Sequence, residues 1–166
     1  MKKLIFVRHS KSENQVFDIS DFERSLTTKG KRVANAMALK LKEKESSIGV
    51  VISSPAFRAL ETALIFLGVY RNPSSSIILD DNIYYNNMRY KFNFQALLEI
   101  LSKIKDEEDT VTLFGHNPSF TELAFMLSAG ECDAIPKCGI VTITFSINSW
   151  SEISPNTSNI VYQLTP

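Results

Sequence analysis

The sequence is poor in the residues that build several common kinds of site. Its 166 residues include only two cysteines, two histidines and one tryptophan. Cys132 and Cys138 have five residues between them and no histidine nearby, which is not the spacing of a zinc site, and one pair of cysteines makes no disulfide framework. We therefore expect two reduced thiols in a cytoplasmic protein.

The chain also lacks an excess of either charge and any long apolar run. Eighteen basic residues balance eighteen acidic ones, and the isoelectric point is near 6.7. This balance argues against a broad surface for nucleic acid or anionic membrane, so an anion site would have to be local. The apolar run at residues 4–7 is too short for a signal peptide, and no stretch is long enough to cross a bilayer.

What is present is a regular alternation of strand and helix patterns in a length that suits one domain, residues 1–166. Short apolar runs predict strands, and apolar residues at helical spacing predict helices between them. This order predicts an α/β fold, a three-layer sandwich with a mostly parallel central sheet and helices on both faces. The predicted strands are residues 3–7, 49–53, 76–79, 110–114 and a closing pair at 140–147 and 159–165; the predicted helices are 28–44, 55–67, 92–105 and 119–129.

The second predicted helix has clear boundary signals. Ser54 is placed as its N-cap, Pro55 at its first position and Gly68 just past its end. Arg58 then lies in the first turn, directly after a strand. The free backbone N–H groups of a helix start, together with Arg58 and Arg8, would form an anion cradle.

Both histidines directly follow predicted strands, in "FVRHSKSE" and "LFGHNP". In sheets of this kind the ligand crevice lies outside the carboxyl ends of the strands, so His9 and His116 should meet there. Either histidine alone could be a buried structural imidazole. It is uncommon for both histidines of a chain to follow strands by chance, so their positions favour a shared site.

A phosphoryl group best explains two arginines beside two histidines. The guanidinium fork matches phosphate oxygens, and a neutral imidazole can attack phosphorus to form a covalent intermediate. A metal phosphatase would need clustered carboxylates, but "KDEED" at residues 105–109 is predicted to be a solvated turn at a strand's amino end. We expect no metal.

Four segments resemble the histidine phosphatase superfamily, the group of phosphoglycerate mutases and acid phosphatases, and more closely its small branch of protein phosphohistidine phosphatases. They are "LIFVRHSKSE", "DFERSLTTKGKRVA", "VVISSPAFRALETA" and "LFGHNPSF". The resemblance implies a phosphoglycerate mutase-like fold without a cofactor. It also implies that His9 is the phosphorylated nucleophile and that Arg8, Arg58 and His116 form the phosphate pocket.

Two residues depart from the superfamily pattern. Ser10 stands where the signature has glycine, and Glu61 stands where the arginine motif usually has glutamine. Small residues other than glycine occur at the first position in the small branch, so Ser10 counts more against a mutase than against a phosphatase. Arg24 matches a common position of that branch, but chemistry alone assigns it no role.

The mutases and acid phosphatases use a carboxylic acid between the second arginine and the second histidine to protonate the leaving alcohol. Here Asp80 and Asp81 end a predicted strand, and the next acid is Glu99 in a helix. Imidazole leaves phosphorus with much less help than an alkoxide, so a missing acid favours a phosphoramidate. The leading hypothesis is a phosphatase for phosphohistidine on a partner protein.

Two alternatives remain open at this stage. One is a phosphatase for a small phosphate ester, with Asp80 or Asp81 as general acid; the other is an inert phosphate-binding module. A monomer is the default expectation. The segment from Tyr84 to Tyr90, "YYNNMRY", either borders the pocket opening or is an ordinary surface loop with half-buried aromatic residues.

Overall fold

A six-stranded mixed sheet forms the centre of the protein in the computed structural model, which describes residues 1–15, 18–84 and 92–166, without the side chains of residues 160 and 161. The strand order is β3-β2-β4-β1-β5-β6. Neighbours among the first four strands run parallel, whereas β5 is antiparallel to both β1 and β6. The strands are β1 (Lys2–Arg8), β2 (Val50–Ser53), β3 (Ile77–Leu79), β4 (Thr110–Gly115), β5 (Ile140–Phe145) and β6 (Ser158–Leu164).

Helices cover both faces of the sheet. They are α1 (Thr28–Lys42), α2 (Phe57–Tyr70), α3 (Phe94–Leu101) and α4 (Ser119–Leu127). Alternate residues of β1 point to opposite faces, so Leu4 and Phe6 pack with α3 and α4, whereas Ile5 and Val7 pack with α1 and α2. The predicted three-layer α/β architecture is confirmed. No helix within the described ranges has the length and hydropathy needed to cross a bilayer.

Helix α1 begins as predicted. The Thr27 side chain accepts a hydrogen bond from the Gly30 N–H at 2.8 Å, which satisfies one free donor of the first turn. The helix packs closely against the loop after β1, because a Cβ on Gly30 would lie 2.0 Å from the Lys11 carbonyl oxygen. This close approach holds the loop next to the end of β1.

The predicted boundaries of α2 are wrong. The helix begins at Phe57, after Ala56 as N-cap, and it continues through Gly68 to Tyr70. The Ser54 hydroxyl lies before the helix, where it contacts Nε2 of His116 at 2.8 Å and accepts from the Ala56 N–H at 3.3 Å. Arg71 is the C-cap and adopts the left-handed conformation, with φ of 57°.

The other helices are shorter than predicted. Helix α3 begins after Asn93, whose side chain accepts from the Ala96 N–H, and helix α4 ends at Leu127. The acidic stretch at residues 105–109 is an exposed turn at the amino end of β4, as predicted. There the side chain of Asp109 forms an ion pair with Lys2.

Candidate active site

The two histidines meet at the carboxyl ends of two adjacent parallel strands. Arg8 pairs with Gly115 in the β1–β4 register, so the next residues, His9 and His116, emerge side by side. Their ring centroids are 5.1 Å apart. The His9 N–H donates to the Gly115 carbonyl, and the Cys138 N–H donates to the His9 carbonyl, so the main chain of His9 is held from both sides.

The ring of His9 has a defined tautomer. Its Nδ1 lies 2.8 Å from the carbonyl oxygen of Ser10. A carbonyl can only accept, so Nδ1 carries the proton and Nε2 keeps its lone pair. Burial, followed by the charges of Arg58 and Arg8, lowers the pKa of His9 to about 3, against an opposing effect of the bond to Ser10. The ring is therefore neutral near pH 7.

His116 is also neutral and buried. Burial, the neighbouring His9 and the charge of Arg58 lower its pKa to about 2. Its Nε2 contacts the Ser54 hydroxyl, whose oxygen accepts from the Ala56 N–H at 3.3 Å. Among the described residues, the buried Nδ1 of His116 has no hydrogen-bond partner.

Arg8 is tied to the chain segment that follows α4. Its Nη1 donates to the Ile135 carbonyl at 2.9 Å, and the Asn117 side chain donates to the same oxygen at 2.9 Å. Nε of Arg8 is buried and has no partner within the described ranges. Nη1 therefore fixes the guanidinium to the Ile135 carbonyl, while Nε makes no hydrogen bond to the described residues.

Arg58, the second residue of α2, is almost fully buried, with 8% of its side chain exposed. Its Nη1 and Nη2 donate to the main-chain carbonyl and carboxylate of Asp21 at 2.5 and 2.9 Å. Its charge lowers the pKa of both histidines, so all three groups share one electrostatic environment. The structure therefore brings together Arg8, His9, Arg58 and His116.

Asp21 is the residue of this cluster that sequence reasoning missed. Its carboxylate accepts from Arg58, from Nη1 of Arg24 at 2.7 Å and from the Tyr84 hydroxyl at 3.1 Å. Burial alone would raise the pKa of Asp21, but the Arg24 hydrogen bond and the Arg58 charge lower it overall. The spacing of Asp21 and Arg24, three residues apart, suggests their pairing; the contact with α2 leaves no signal in the sequence.

The predicted acid candidates have local contacts. The Asp80 carboxylate accepts from the main-chain and side-chain N–H groups of Asn82, and Asp81 is exposed. Within the described ranges, no hydrogen bond or ion pair joins Asp80 or Asp81 to the two histidines or to Arg8 and Arg58.

Only Tyr84 of the segment from Tyr84 to Tyr90 lies within the described residues. Its ring centroid is 5.7 Å from that of His116 and 5.3 Å from that of Phe22. Phe22 in turn lies 6.0 Å from Phe57, which is 42% exposed. These three residues, the aromatic rim, extend from His116 to the protein surface.

The two departures from the superfamily pattern have structural contacts. The Ser10 hydroxyl donates to the Gly30 carbonyl at 2.8 Å, and the Glu61 carboxylate accepts from the Leu26 N–H at 2.9 Å. Both bonds fasten the loop between β1 and α1. In the part of the chain that the structure describes, no three His, Cys, Asp or Glu side chains are grouped so that they could hold a metal ion.

Comparisons with known proteins agree with this geometry. Residues 4–83 match the sequence model of the histidine phosphatase superfamily, branch 1. An uncharacterised protein of Picosynechococcus sp. is 24% identical over 98% of this chain and 95% of its own length.

The fold is shared with solved phosphatase structures. The protein histidine phosphatase SixA, solved with tungstate, has a TM-score of 0.80 and 22% identity over 98% of this chain and 96% of that one. A mycobacterial glucosyl-3-phosphoglycerate phosphatase, solved with inorganic phosphate, has a TM-score of 0.67 and 12% identity over 98% of this chain and 96% of that one. At these identities the likeness concerns the fold. Together with the family match over residues 4–83, it confirms the predicted resemblance to the histidine phosphatase superfamily and the phosphoglycerate mutase-like fold.

Proposed function

We propose that the protein is a phosphatase that removes phosphate from phosphohistidine on a partner protein, with His9 as the nucleophile. The observation that carries the proposal is the state of His9. Its ring is neutral, its Nδ1–H donates to the Ser10 carbonyl, and among the described residues no hydrogen bond engages its Nε2, while the charges of Arg58 and Arg8 act on the ring. This is the arrangement that nucleophilic attack on a phosphoryl group needs.

In the first step Nε2 of His9 attacks phosphorus. A bond forms between Nε2 and phosphorus, and the bond between phosphorus and the substrate imidazole breaks. A substrate ring that carries a proton on its distal nitrogen leaves as neutral imidazole, so the departing nitrogen needs no proton donor. His9 becomes a phosphohistidine whose Nδ1 keeps its proton, still hydrogen-bonded to the Ser10 carbonyl.

In the second step water attacks the phosphorus of this intermediate. The bond from phosphorus to Nε2 breaks, and the water protons leave with the phosphate. Because Nδ1 keeps its proton throughout, His9 also leaves as neutral imidazole and returns to its starting state. In both steps the departing ring already carries a proton on its distal nitrogen, so it leaves as neutral imidazole without a proton donor.

Arg8, Arg58 and His116 are proposed to bind the transferring group. Each arginine has guanidinium donors beyond those the protein itself engages, and Nδ1 of His116 has no partner among the described residues. When the Ser54 hydroxyl donates to Nε2 of His116, the ring proton lies on Nδ1 and can point to a phosphoryl oxygen. Fixed donors of this kind supply most of the catalysis in phosphoryl transfer.

The choice of substrate rests on the carboxyl groups. The carboxyl that contacts Arg58 is Asp21, and its lowered pKa keeps it ionised, so it cannot protonate a leaving alkoxide near neutral pH. The nine undescribed positions, 16–17 and 85–91, contain no Asp or Glu. The named activity of SixA, a protein histidine phosphatase of the same fold, agrees with a phosphoramidate substrate.

The aromatic rim also favours an imidazole-bearing substrate. Tyr84 lies edge-to-face beside His116, and Phe22 and Phe57 continue the row of rings from Tyr84 towards the surface. Aromatic contacts with a flat, partly cationic ring are worth about 0.5–2 kcal/mol each. An aliphatic phosphate ester would gain little from them.

A small phosphate ester is the second candidate. The named substrate class of the mycobacterial phosphatase, which shares the fold, favours it. In this case Asp80 or Asp81 would have to reach the leaving oxygen, and the Asp80 carboxylate would have to give up its bonds to Asn82.

The test compares turnover of a phosphohistidine-bearing protein with turnover of p-nitrophenyl phosphate and aliphatic phosphate esters. We expect a clear preference for phosphohistidine, loss of turnover in His9→Ala, and an acid-labile, base-stable phosphate on His9 after rapid quenching. Asp80→Asn and Asp81→Asn should leave this activity unchanged. Preference for an ester with loss in either Asp variant would favour the second candidate, and phosphate binding without turnover would indicate an inert module.

A further inference from the structure

The Asp21 carboxylate binds the side chains of Arg24, Arg58 and Tyr84, which are distant from one another in the sequence. Oδ1 accepts from Arg24, and Oδ2 accepts from both Arg58 and Tyr84. The main-chain carbonyl of Asp21 accepts a second bond from Arg58. One residue of the loop between β1 and α1 thus holds both terminal nitrogens of the guanidinium predicted to bind phosphate.

We propose that Asp21 is the positioning residue of the phosphate pocket, which fixes the guanidinium of Arg58 through its carboxylate and its own carbonyl. The inference rests on the proposed function, because it assigns Asp21 to the pocket that this function requires. Nothing in it requires Asp21 to touch the substrate.

The number of donors supports this assignment. A guanidinium has five N–H groups, and Asp21 takes two of them, one from each terminal nitrogen. Three N–H groups are not taken by Asp21; the Tyr84 hydroxyl also interacts with the guanidinium, and the others can serve a phosphoryl group. Because both terminal nitrogens are held, the plane of the guanidinium is set before any anion binds, and the protein need not order it during the reaction.

The burial of Arg58 also requires a negatively charged partner, which the Asp21 carboxylate supplies. The Arg58 side chain is 8% exposed, and a buried charge without a partner is costly. Asp21, 36% exposed, supplies that partner from the solvent side. The carboxylate therefore balances the buried charge of Arg58 and holds its side chain in place.

Arg24 holds Asp21 in turn, which gives Arg24 a role. Its Nε donates to the Glu13 carbonyl at 2.8 Å and its Nη2 donates to the Ser12 hydroxyl at 2.9 Å, while Nη1 binds Asp21. These bonds tie the 3₁₀ turn at Asp21–Glu23 to the chain just after His9. The chain of contacts from Arg24 through Asp21 to Arg58 links the loop to α2.

The experiment measures the dissociation constant of orthovanadate by calorimetry, together with KM and kcat for the phosphohistidine substrate. Asp21→Ala should raise the vanadate dissociation constant and KM by about tenfold or more, because Arg58 is no longer held. Asp18→Ala is the matched control, since it removes an exposed carboxylate from the same loop, and it should change neither value. The melting temperature of each variant reports whether the fold is retained.

The double variant decides between positioning and a general structural effect. In an Arg58→Gln background, Asp21→Ala should have no further effect on vanadate binding. An equal loss with and without Arg58 would overturn the proposal, and so would unchanged binding in the single variant. If Asp21→Ala does not fold, Arg24→Gln carries the same test. Vanadate binding that shows this coupling without any turnover would support the positioning role and contradict the proposed function instead.

Discussion

The ring centroids of His9 and His116 lie 5.1 Å apart with an interplanar angle of 54°, although the two residues follow different strands. Both rings are buried and both pKa values are far below that of a free histidine. A protonated pair at this separation would be strongly repelled and poorly solvated. The site therefore contains two neutral imidazoles, one that can attack phosphorus and one that can donate to its oxygen.

This pair predicts a loss of stability on mild acidification. Each folded-state pKa lies below the unfolded value of about 6.5, so the unfolded chain binds more protons as the pH falls from 6.5 towards 3. Stability is full above pH 6.5 and should decrease by about 2 kcal/mol per histidine between pH 7 and pH 5. Urea unfolding at several pH values measures this dependence. His116→Gln should halve the slope, and an unchanged slope would contradict the assignment.

Arg58 should be far more important for activity than another arginine of the same helix. Arg58→Gln removes a buried donor next to both histidines, and we expect kcat/KM to fall by about 100- to 1000-fold. Arg71→Gln, at the other end of α2, should leave kcat/KM within about twofold, as exposed changes away from a site generally do. Steady-state kinetics of both variants provide the measurement, and equal losses would argue against a phosphate pocket at Arg58.

Gly30 and Gly68 should respond in opposite ways to alanine. A Cβ at Gly30 would meet the Lys11 carbonyl oxygen at 2.0 Å, so Gly30→Ala should destabilise the fold by about 2–3 kcal/mol through overpacking. At Gly68, exposed within α2, a Cβ meets nothing within 4 Å, and Gly68→Ala should stabilise by about 0.5–1 kcal/mol. Thermal unfolding of the two variants tests both signs. A tolerated Gly30→Ala would mean that α1 can move away from the loop.

Ser10→Ala should affect stability rather than activity. The hydroxyl donates to the Gly30 carbonyl, whereas the group that contacts the His9 ring is the main-chain carbonyl of Ser10. Loss of this buried bond should cost about 1 kcal/mol. Chemical denaturation and kcat/KM are measured together, and a tenfold decrease in kcat would show that the hydroxyl takes part in the reaction.

Much of the fold could be predicted because the signals are local. Apolar runs located all six strands, and the predicted helix 28–44 has the same first residue as α1. The boundaries of α2 were predicted wrongly for a reason outside the helix. Ser54 and Gly68 have the residue types of a cap and a terminator, but the Ser54 hydroxyl is engaged by His116, 62 residues away. Local propensity cannot register such a competing partner.

The convergence of Arg8, His9, Arg58 and His116 followed from topology. Residues after parallel strands, and those in the first turn of the next helix, gather at one edge of the sheet. Asp21 had no comparable signal, because it lies on a loop whose path depends on α1, on Arg24 and on the close packing at Gly30. The positions of loops follow from many weak contacts rather than from periodicity.

The sequence by itself determined the alternation of strands and helices and the edge of the sheet where the histidines lie. It also determined that Arg8 and Arg58 lie near them. Each of these features depends on residue type and spacing along the chain. Only the tertiary structure decided the tautomer of His9, the neutrality of both imidazoles and the hold of Asp21 on Arg58. Those properties depend on which groups exclude water and donate or accept at distances near 3 Å, and such distances exist only once the chain has packed.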